Sequence, residues 1–337
     1  MGAALLVAQG NPGNMGLCGA CFLRDVAGAL GFFPAPAPRI FRPEVAGLMI
    51  GALAAVVVRR RFAARSGSYA ASRFALGVLM AFGALVFLGC PFRLFQRLGG
   101  GDLNAWVALP GLLLGVGIAV QFERRGYSIG KTAPVPAAVG LWAHLSALVL
   151  LAVFVVGGVL AGPAAGEATG PAHAPWLLAL GFGAVAGGLL SLTGFCGIAA
   201  ARAVFQPGKR MLLAAGALVV GYACVSALTG RLTFAFAGQP IAHGEWLWNA
   251  LALALVGLTG AFAGGCPVRQ LVMAGEGNGD ALMVVAGLVG GGALAHTLGI
   301  ASSPAGVTDA GRIVVAVGIP LVLAYAGLLL PRPSAST

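Results

Sequence analysis

Two stretches of the sequence share one pattern and decide the fold class. Residues 78–93 read VLMAFGALVFLGCPFR, and residues 254–269 read ALVGLTGAFAGGCPVR. In each stretch an apolar run leads into the motif Gly-Cys-Pro-x-Arg, with Cys90 and Cys266 separated by 176 positions. Long apolar runs are typical of membrane-spanning helices. The repeated motif indicates an internal duplication.

The composition supports a membrane protein. The chain has 337 residues, of which 59% are hydrophobic and 9% are charged, and it contains 55 glycines. Soluble domains have about 25% charged residues, so this chain could not cover a soluble surface. It is also too apolar for a disordered protein. The formal net charge of +11 is attributed to cytoplasmic loops that follow the positive-inside rule. We therefore expect membrane lipid around the chain and no nucleic-acid partner.

Nine segments are predicted to cross the membrane within one domain, residues 1–337. They are residues 43–58, 74–89, 103–121, 136–160, 175–192, 211–229, 246–264, 281–298 and 312–330. If each crosses once, thirteen Lys and Arg residues fall on one side, among them Arg59, Arg60, Arg61 and Arg332, and seven fall on the other. The positive-inside rule then places the N-terminal region outside and the C-terminus in the cytoplasm.

A second pair of motifs extends the duplication. Gly16-Leu17-Cys18-Gly19 returns as Gly194-Phe195-Cys196-Gly197, and Arg24 returns as Arg202. Repeat one spans approximately residues 1–127 and repeat two approximately residues 175–300. Five predicted spans separate Cys18 from Cys196, and this odd number inverts the second copy. The predicted fold is an all-α integral membrane protein with about nine transmembrane helices and four short re-entrant half-helices in two inverted repeats.

The Gly-Cys-Pro motif predicts the start of a short helix. Proline suits the first helical turn, and Gly89 and Gly265 are expected to let the backbone turn sharply before each cysteine. A helix start favours anions, and Arg93 and Arg269 add positive charge one turn later. Thiols beside positive charge suit a soft anion that contains sulphur or selenium. We therefore expect Cys18, Cys90, Cys196 and Cys266 to bind the substrate.

Several other residues have two interpretations. Cys21 forms Cys-x-x-Cys with Cys18 and is either a redox partner or an addition outside the basic mechanism. Arg24 and Arg202 either serve the site or anchor the helices at the interface. Asp102 and Asp280 are expected to cap the helices that follow them. Cys224 is expected to be a core residue. The sequence predicts no metal site, no cofactor and no catalytic residue.

The motifs carry a resemblance to a known family. The run GNPGNMGLCGACFLRD at residues 10–25, LGCPFR at residues 88–93 and Gly126-Tyr127-Ser128 resemble the YeeE/YedE sulphur-transport family, and the likeness is closest to the YedE subgroup, described as selenium transporters. The similarity covers nearly the whole chain. No clear span precedes Cys18, whereas residues 175–192 precede its counterpart Cys196.

The resemblance implies a function and a partner. In the YeeE branch it implies thiosulfate uptake across the bacterial inner membrane, with cysteines on a central path making weak S–H contacts to the passing ion. The motifs transfer this role to Cys18, Cys90 and Cys266, and Cys196 completes the repeat. A small TusA-like carrier protein (YedF or YeeD) is the implied partner at the cytoplasmic face.

The sequence therefore predicts a transporter rather than an enzyme. Its expected cargo is a small sulphur- or selenium-containing anion, such as thiosulfate or a selenium oxyanion. The alternatives are a membrane thiol/disulfide oxidoreductase, suggested by Cys18 and Cys21, and a relay that passes sulphur along the cysteines as persulfides.

Overall fold

The computed structural model describes residues 1–34, 39–157 and 173–331, and in these residues the chain is almost entirely α-helical. Two-residue strands, β1 (Arg65–Ser66) and β2 (Ala133–Pro134), pair antiparallel. The helices are α1 (Gly2–Ala8), α2 (Gly19–Ala29), α3 (Pro43–Val58), α4 (Ala70–Phe87), α5 (Pro91–Gly99), α6 (Leu103–Arg124), α7 (Ala137–Gly157), α8 (Trp176–Thr193), α9 (Gly197–Arg202), α10 (Arg210–Leu228), α11 (Trp246–Phe262), α12 (Pro267–Gly275), α13 (Gly279–Thr297) and α14 (Asp309–Leu328). Arg332 lies outside the described residues.

Eight helical segments in the described part of the chain are long and apolar enough to cross a membrane. Three of these segments combine a long helix with the short helix after it: α4 with α5, α8 with α9, and α11 with α12. Helix α3 is apolar but has only 16 residues, or about 24 Å at 1.5 Å per residue, against a hydrocarbon core of about 30 Å. The predicted all-α class is confirmed, and eight of the nine predicted spans lie in segments long and apolar enough to cross a membrane.

The core is built from helix pairs that pack closely. Helix α3 packs on α8, α4 packs on α13, and α11 packs on α6. A Cβ added to Gly77 of α4 would collide with the backbone of Val284 in α13, and one added to Gly111 of α6 would collide with that of Ala250 in α11. These glycines therefore let the helix backbones approach closely, as small residues do in membrane proteins.

Three long helices break before a short helix. Helix α4 ends at Phe87, and Leu88 takes the left-handed conformation with φ +60°. Helices α8 and α11 are followed by left-handed Gly194 (φ +66°) and Gly264 (φ +85°). The helices α5 and α12 then begin at Pro91 and Pro267, as the Gly-Cys-Pro motif predicts.

The position of the sharp turn differs from the expectation. Gly89 and Gly265 were expected to provide it, but the residues with positive φ are Leu88 and Gly264, one position earlier. Gly89 instead makes room for a side chain, since a Cβ there would lie 3.0 Å from Cδ of Arg93. At Gly265 a Cβ would lie 3.1 Å from Cγ of Arg269. The two glycines therefore allow each arginine to fold back over the start of its helix.

The short helices end at opposite ends of the helix bundle. We call the end with residues 59–67 the arginine-rich end. Helix α12 ends there, because Arg65 N–H donates to Gly277 O at 3.2 Å, and α9 ends beside the last turn of α6, where Arg202 pairs with Glu123. Helix α5 ends at the other end, which we call the opposite end, where Thr233 N–H donates to Gly100 O at 3.2 Å.

Helix α2 also runs toward the opposite end. Phe33, just beyond its last turn, stacks on His296 in the last turn of α13, with ring centroids 4.6 Å apart. Helix α13 begins near Ser66 at the arginine-rich end. Thus α2 and α5 extend one way from the centre, and α9 and α12 extend the other way.

The capping prediction is correct for Asp102 and wrong for Asp280. Asp102 caps α6 by accepting from Asn104 N–H at 3.0 Å. At α13 the capping residue is Asn278, which accepts from the N–H of Asp280 at 3.0 Å. Asp280 lies inside the helix, where its carboxylate accepts from Gly67 N–H at 2.7 Å and pairs with Arg73 at 2.9 Å. The duplicated sequence carries Asp and Asn in exchanged order here, so the cap stays in place while its residue type changes.

Candidate functional site

Four cysteines share one structural position, the residue immediately before a short helix. Cys18, Cys90, Cys196 and Cys266 are the N-caps of α2, α5, α9 and α12, and all four have extended backbone conformations. Each is buried, with an exposed fraction of 5% or less. The four helices therefore begin at thiols in the interior of the protein.

In the first half of the chain two thiols are in contact. The sulphur atoms of Cys18 and Cys90 lie 3.6 Å apart, in the geometry of a hydrogen bond donated by the Cys18 thiol. Cys18 also caps its helix, because its sulphur accepts from Cys21 N–H at 3.4 Å. Cys21 itself is buried and lies one helical turn after Cys18 in α2.

In the second half the corresponding cysteines contact each other differently. Cys266 donates its backbone N–H to the sulphur of Cys196 at 3.3 Å. The two pairs therefore bring thiols together in both halves, but direct sulphur-to-sulphur contact is seen for Cys18 and Cys90.

The helix starts of the two halves also touch each other. A Cβ added to Gly19 would lie 2.6 Å from the backbone nitrogen of Val268 and 2.8 Å from Cβ of Pro267. A Cβ added to Gly197 would lie 2.9 Å from Cβ of Pro91. Thus α2 begins against α12, and α9 begins against α5. We call the four capping cysteines, Cys18, Cys90, Cys196 and Cys266, the thiol junction.

Arg93 carries a buried positive charge beside the thiol junction. Its side chain is fully buried and donates to backbone carbonyls: to Asn14 O at 3.0 Å, to Leu88 O, to Pro240 O at 3.2 Å and to Ile241 O at 3.3 Å. Among the described residues no carboxylate lies within ion-pair distance of Arg93. Its charge is therefore solvated by carbonyl dipoles.

Arg93 and Gln96 also close the opposite end of the thiol junction. Arg93 ties residues 240 and 241 to α5, as described above. Gln96, fully buried on α5, accepts from Leu17 N–H at 3.2 Å and donates to Leu17 O at 2.5 Å. These bonds hold the segment before Cys18 and the loop before α11 over the junction.

A cavity reaches the thiol junction from the arginine-rich end. It has a volume of about 570 Å³, and Cys196, Arg202, Arg269, Glu123 and Tyr127 are among the residues that line it. Of the four junction cysteines, only Cys196 lines this cavity. Open space thus approaches the junction from the arginine-rich end, whereas on the opposite side the described residues Leu17, Pro240 and Ile241 are hydrogen-bonded over it.

The cavity arginines are paired with carboxylates, unlike Arg93. Arg202 binds Glu123 through both terminal nitrogens, and its Nη2 lies 2.8 Å from Oε1. Arg269 binds Glu276 with nitrogen–oxygen distances of 3.1 and 3.3 Å. The positive charge expected from Arg269 is present, but a neighbouring carboxylate neutralises it.

Arg24 belongs to a buried network that the sequence did not reveal. Its Nε lies 2.6 Å from Asp25 Oδ1, and Arg42 Nε lies 2.7 Å from Asp25 Oδ2. A second buried pair, Arg97 with Asp102 at 2.6 Å, was also missed. The signal for both is the same: a lone Asp within five residues of an Arg in an apolar chain, where an unpaired charge would be costly.

Cys224 lies apart from these features. It is exposed on α10, so its predicted place in the core is wrong. Its exposure at the bundle surface makes it a useful control for the junction cysteines. Within residues 1–34, 39–157 and 173–331, no group of three or more His, Cys, Asp or Glu side chains is arranged to hold a metal ion.

Comparison with known proteins does not place the chain in a family. No protein-family model matches it, and no curated protein matches it. The resemblance noted from the cysteine motifs therefore stays an expectation.

Proposed function

We propose that this protein is a multi-pass transporter of the bacterial inner membrane that imports a small sulphur- or selenium-containing anion, such as thiosulfate or a selenium oxyanion. The observation that carries the proposal is the thiol junction: four buried cysteines, contributed by both halves of the chain, that a cavity reaches from one side. A row of soft, weakly donating thiols suits a soft anion that must bind and leave quickly. The cysteine motifs that resemble the YeeE/YedE family support the same function.

We infer that the chain is an inverted duplication with nine spans. The order of elements supports this, since α4, α5 and α6 correspond to α11, α12 and α13. The packing supports it as well. Helix α4 packs on α13, and their counterparts in the other repeat, α11 and α6, pack on each other in the same way. The opposite directions of the two sets of short helices are those that an inverted repeat requires. Helix α3 counts as the ninth span, although it is the shortest.

The basic loops orient the protein. Under the positive-inside rule the arginine-rich end is cytoplasmic, which leaves the N-terminal region outside and the C-terminus inside. The cavity at Cys196 then opens to the cytoplasm, and the closed side faces outward. A TusA-like carrier protein, the partner implied by the resemblance, would receive the cargo at this cytoplasmic opening.

The electrostatics favour an anion as cargo. The starts of α2, α5 and α12, which have 11, 9 and 9 residues, direct backbone N–H groups and partial positive charge at the thiol junction. Arg93 adds a full positive charge that no described carboxylate balances. A soft metal cation would bind thiolates, but this positive field opposes its entry.

An uptake assay tests the proposal. Cells that express Cys90→Ala or Cys266→Ala should take up radiolabelled thiosulfate or selenite more slowly than cells with the unchanged protein. Cys224→Ala removes a cysteine outside the thiol junction and should leave uptake unaltered. Equal uptake by all of these variants would overturn the proposal.

A second candidate function rests on the contact between Cys18 and Cys90. At 3.6 Å the two sulphur atoms need only a small movement to form a disulfide of about 2.05 Å. The two thiols would lose two protons and two electrons to an acceptor such as a quinone. A persulfide relay along the same cysteines is the related alternative. Mass spectrometry that finds only free thiols, and no persulfide during turnover, would exclude both.

A further inference from the structure

The cavity at the arginine-rich end has its own arrangement of charges. Arg202 and Arg269 both line it, and each holds a glutamate through two nitrogens. Paired guanidinium nitrogens are a common binding site for oxyanions, because their planar donors match two oxygen atoms. The carboxylates of Glu123 and Glu276 therefore occupy the positions that an incoming oxyanion would take.

Tyr127 also lies beside this cavity and is 8% exposed. Its hydroxyl is buried and, among the described residues, has no hydrogen-bond partner. The hydroxyl is therefore not open to the cavity and takes no part in the site proposed below.

We infer that Arg202 and Arg269 form a cytoplasmic anion site, and that Glu123 and Glu276 are tethered carboxylates that displace the cargo from it. This inference rests on the proposed function and adds a release step to it. The exchange keeps each arginine paired at every stage, either with its glutamate or with the anion.

The two ends of the thiol junction differ in the groups that pair with their arginines. On the outer side Arg93 is bound only by carbonyl groups, so no attached anion competes with the cargo there. On the cytoplasmic side two attached carboxylates compete with it. The attached carboxylates thereby weaken cargo binding at the cytoplasmic end and speed its release there, while the concentration gradient of the cargo sets the direction of net transport.

Removing one tethered carboxylate tests the inference. In Glu123→Gln the side chain keeps its size but loses its charge. The purified full-length protein in lipid nanodiscs should then bind radiolabelled thiosulfate or selenite about three- to fivefold more tightly, the range expected for loss of a partly exposed ion pair. Release of the bound anion should slow by a similar factor. If this variant does not fold, Glu276→Gln tests the same exchange at Arg269.

Glu245→Gln is the matched control. Glu245 pairs with Arg312 at 2.9 Å and is 30% exposed, close to the 27% of Glu123, but it lies at the start of α11, away from the cavity. Its substitution should leave binding and release unchanged. Unchanged or weaker binding in Glu123→Gln, or the same effect in both variants, would overturn the inference.

The binding assay in nanodiscs, combined with the uptake assay in cells, separates this failure from failure of the proposed function. If the unchanged protein transports the anion in a Cys90-dependent way but Glu123→Gln binds and releases it normally, only the release step is wrong. If the unchanged protein neither binds nor transports thiosulfate or selenite, the proposed function fails and the release step fails with it.

Discussion

Replacing Gly19 by alanine tests the contact between the two halves of the chain. Gly19 is the first residue of α2, directly after Cys18. An added Cβ would lie 2.6 Å from the nitrogen of Val268 and 2.7 Å from the carbonyl carbon of Pro267, both backbone atoms at the start of α12. Neither atom can move without moving its helix.

The expected cost follows from these distances. Ordinary contacts of a Cβ begin near 3.4 Å and the nearest atom is at 2.6 Å, so α2 and α12 must separate by about 0.8 Å. Overpacking of this kind costs about 1–3 kcal/mol, and alanine recovers up to about 1 kcal/mol because it favours helix more than glycine does. The free energy of unfolding should therefore fall by about 1–2 kcal/mol. Displacement of Cys18 from Cys90 should also slow transport.

Thermal unfolding in detergent and anion uptake in vesicles measure the two effects. At about 2–4 °C per kcal/mol, the unfolding temperature should fall by about 2–8 °C. Gly216→Ala on α10 is the control, because a Cβ there meets no atom within 4 Å. If Gly19→Ala is as stable and as active as Gly216→Ala, the two helix starts are not in contact and the reasoning is refuted.

Three further predictions concern the thiols, the buried charges and the orientation. In a protein that retains only Cys18 and Cys90 as cysteines, mild oxidation should produce an intramolecular disulfide, detectable by mass spectrometry; persistence of both free thiols would contradict their 3.6 Å separation. Asp102→Asn should destabilise the protein by about 3–5 kcal/mol in unfolding measurements, since it leaves buried Arg97 without its carboxylate. The control Asp309→Asn changes a 90% exposed carboxylate and should cost at most about 1 kcal/mol. Equal effects of the two substitutions would refute the distinction between buried and exposed ion pairs. Green fluorescent protein fused after the last residue should fluoresce, because the C-terminus is predicted to be cytoplasmic. If that fusion is dark, and a reporter that is active only in the periplasm works at the same position, the orientation is the reverse.

Much of the helical framework could be predicted from the sequence, because its signals are local. An apolar run of sufficient length, followed by proline, indicates one helix end and the next helix start, and Pro91 and Pro267 begin helices as expected. Helix α3 also has the bounds that the sequence predicts, Pro43–Val58. Its 16 residues are therefore short of a full span in the prediction as well as in the structure.

The meeting of the cysteines could be expected from the duplication, but their contacts could not. Repeated motifs predict four similar helix starts, and the structure brings those starts together. The partners of Arg93 include carbonyls of Pro240 and Ile241, which lie almost 150 residues away in the chain. No local sequence pattern predicts such a contact. The pairing of Arg202 with Glu123 is equally non-local.

The most direct test of the central claim is to locate the cargo among the thiols. Crystals grown with selenite, measured at the selenium absorption edge, would show where the anion binds. The account predicts an anomalous peak within van der Waals contact, about 4 Å, of a thiol-junction sulphur, with the four sulphur atoms gathered around one path. A selenium peak remote from all four cysteines, or sulphur atoms separated by intervening side chains, would contradict it.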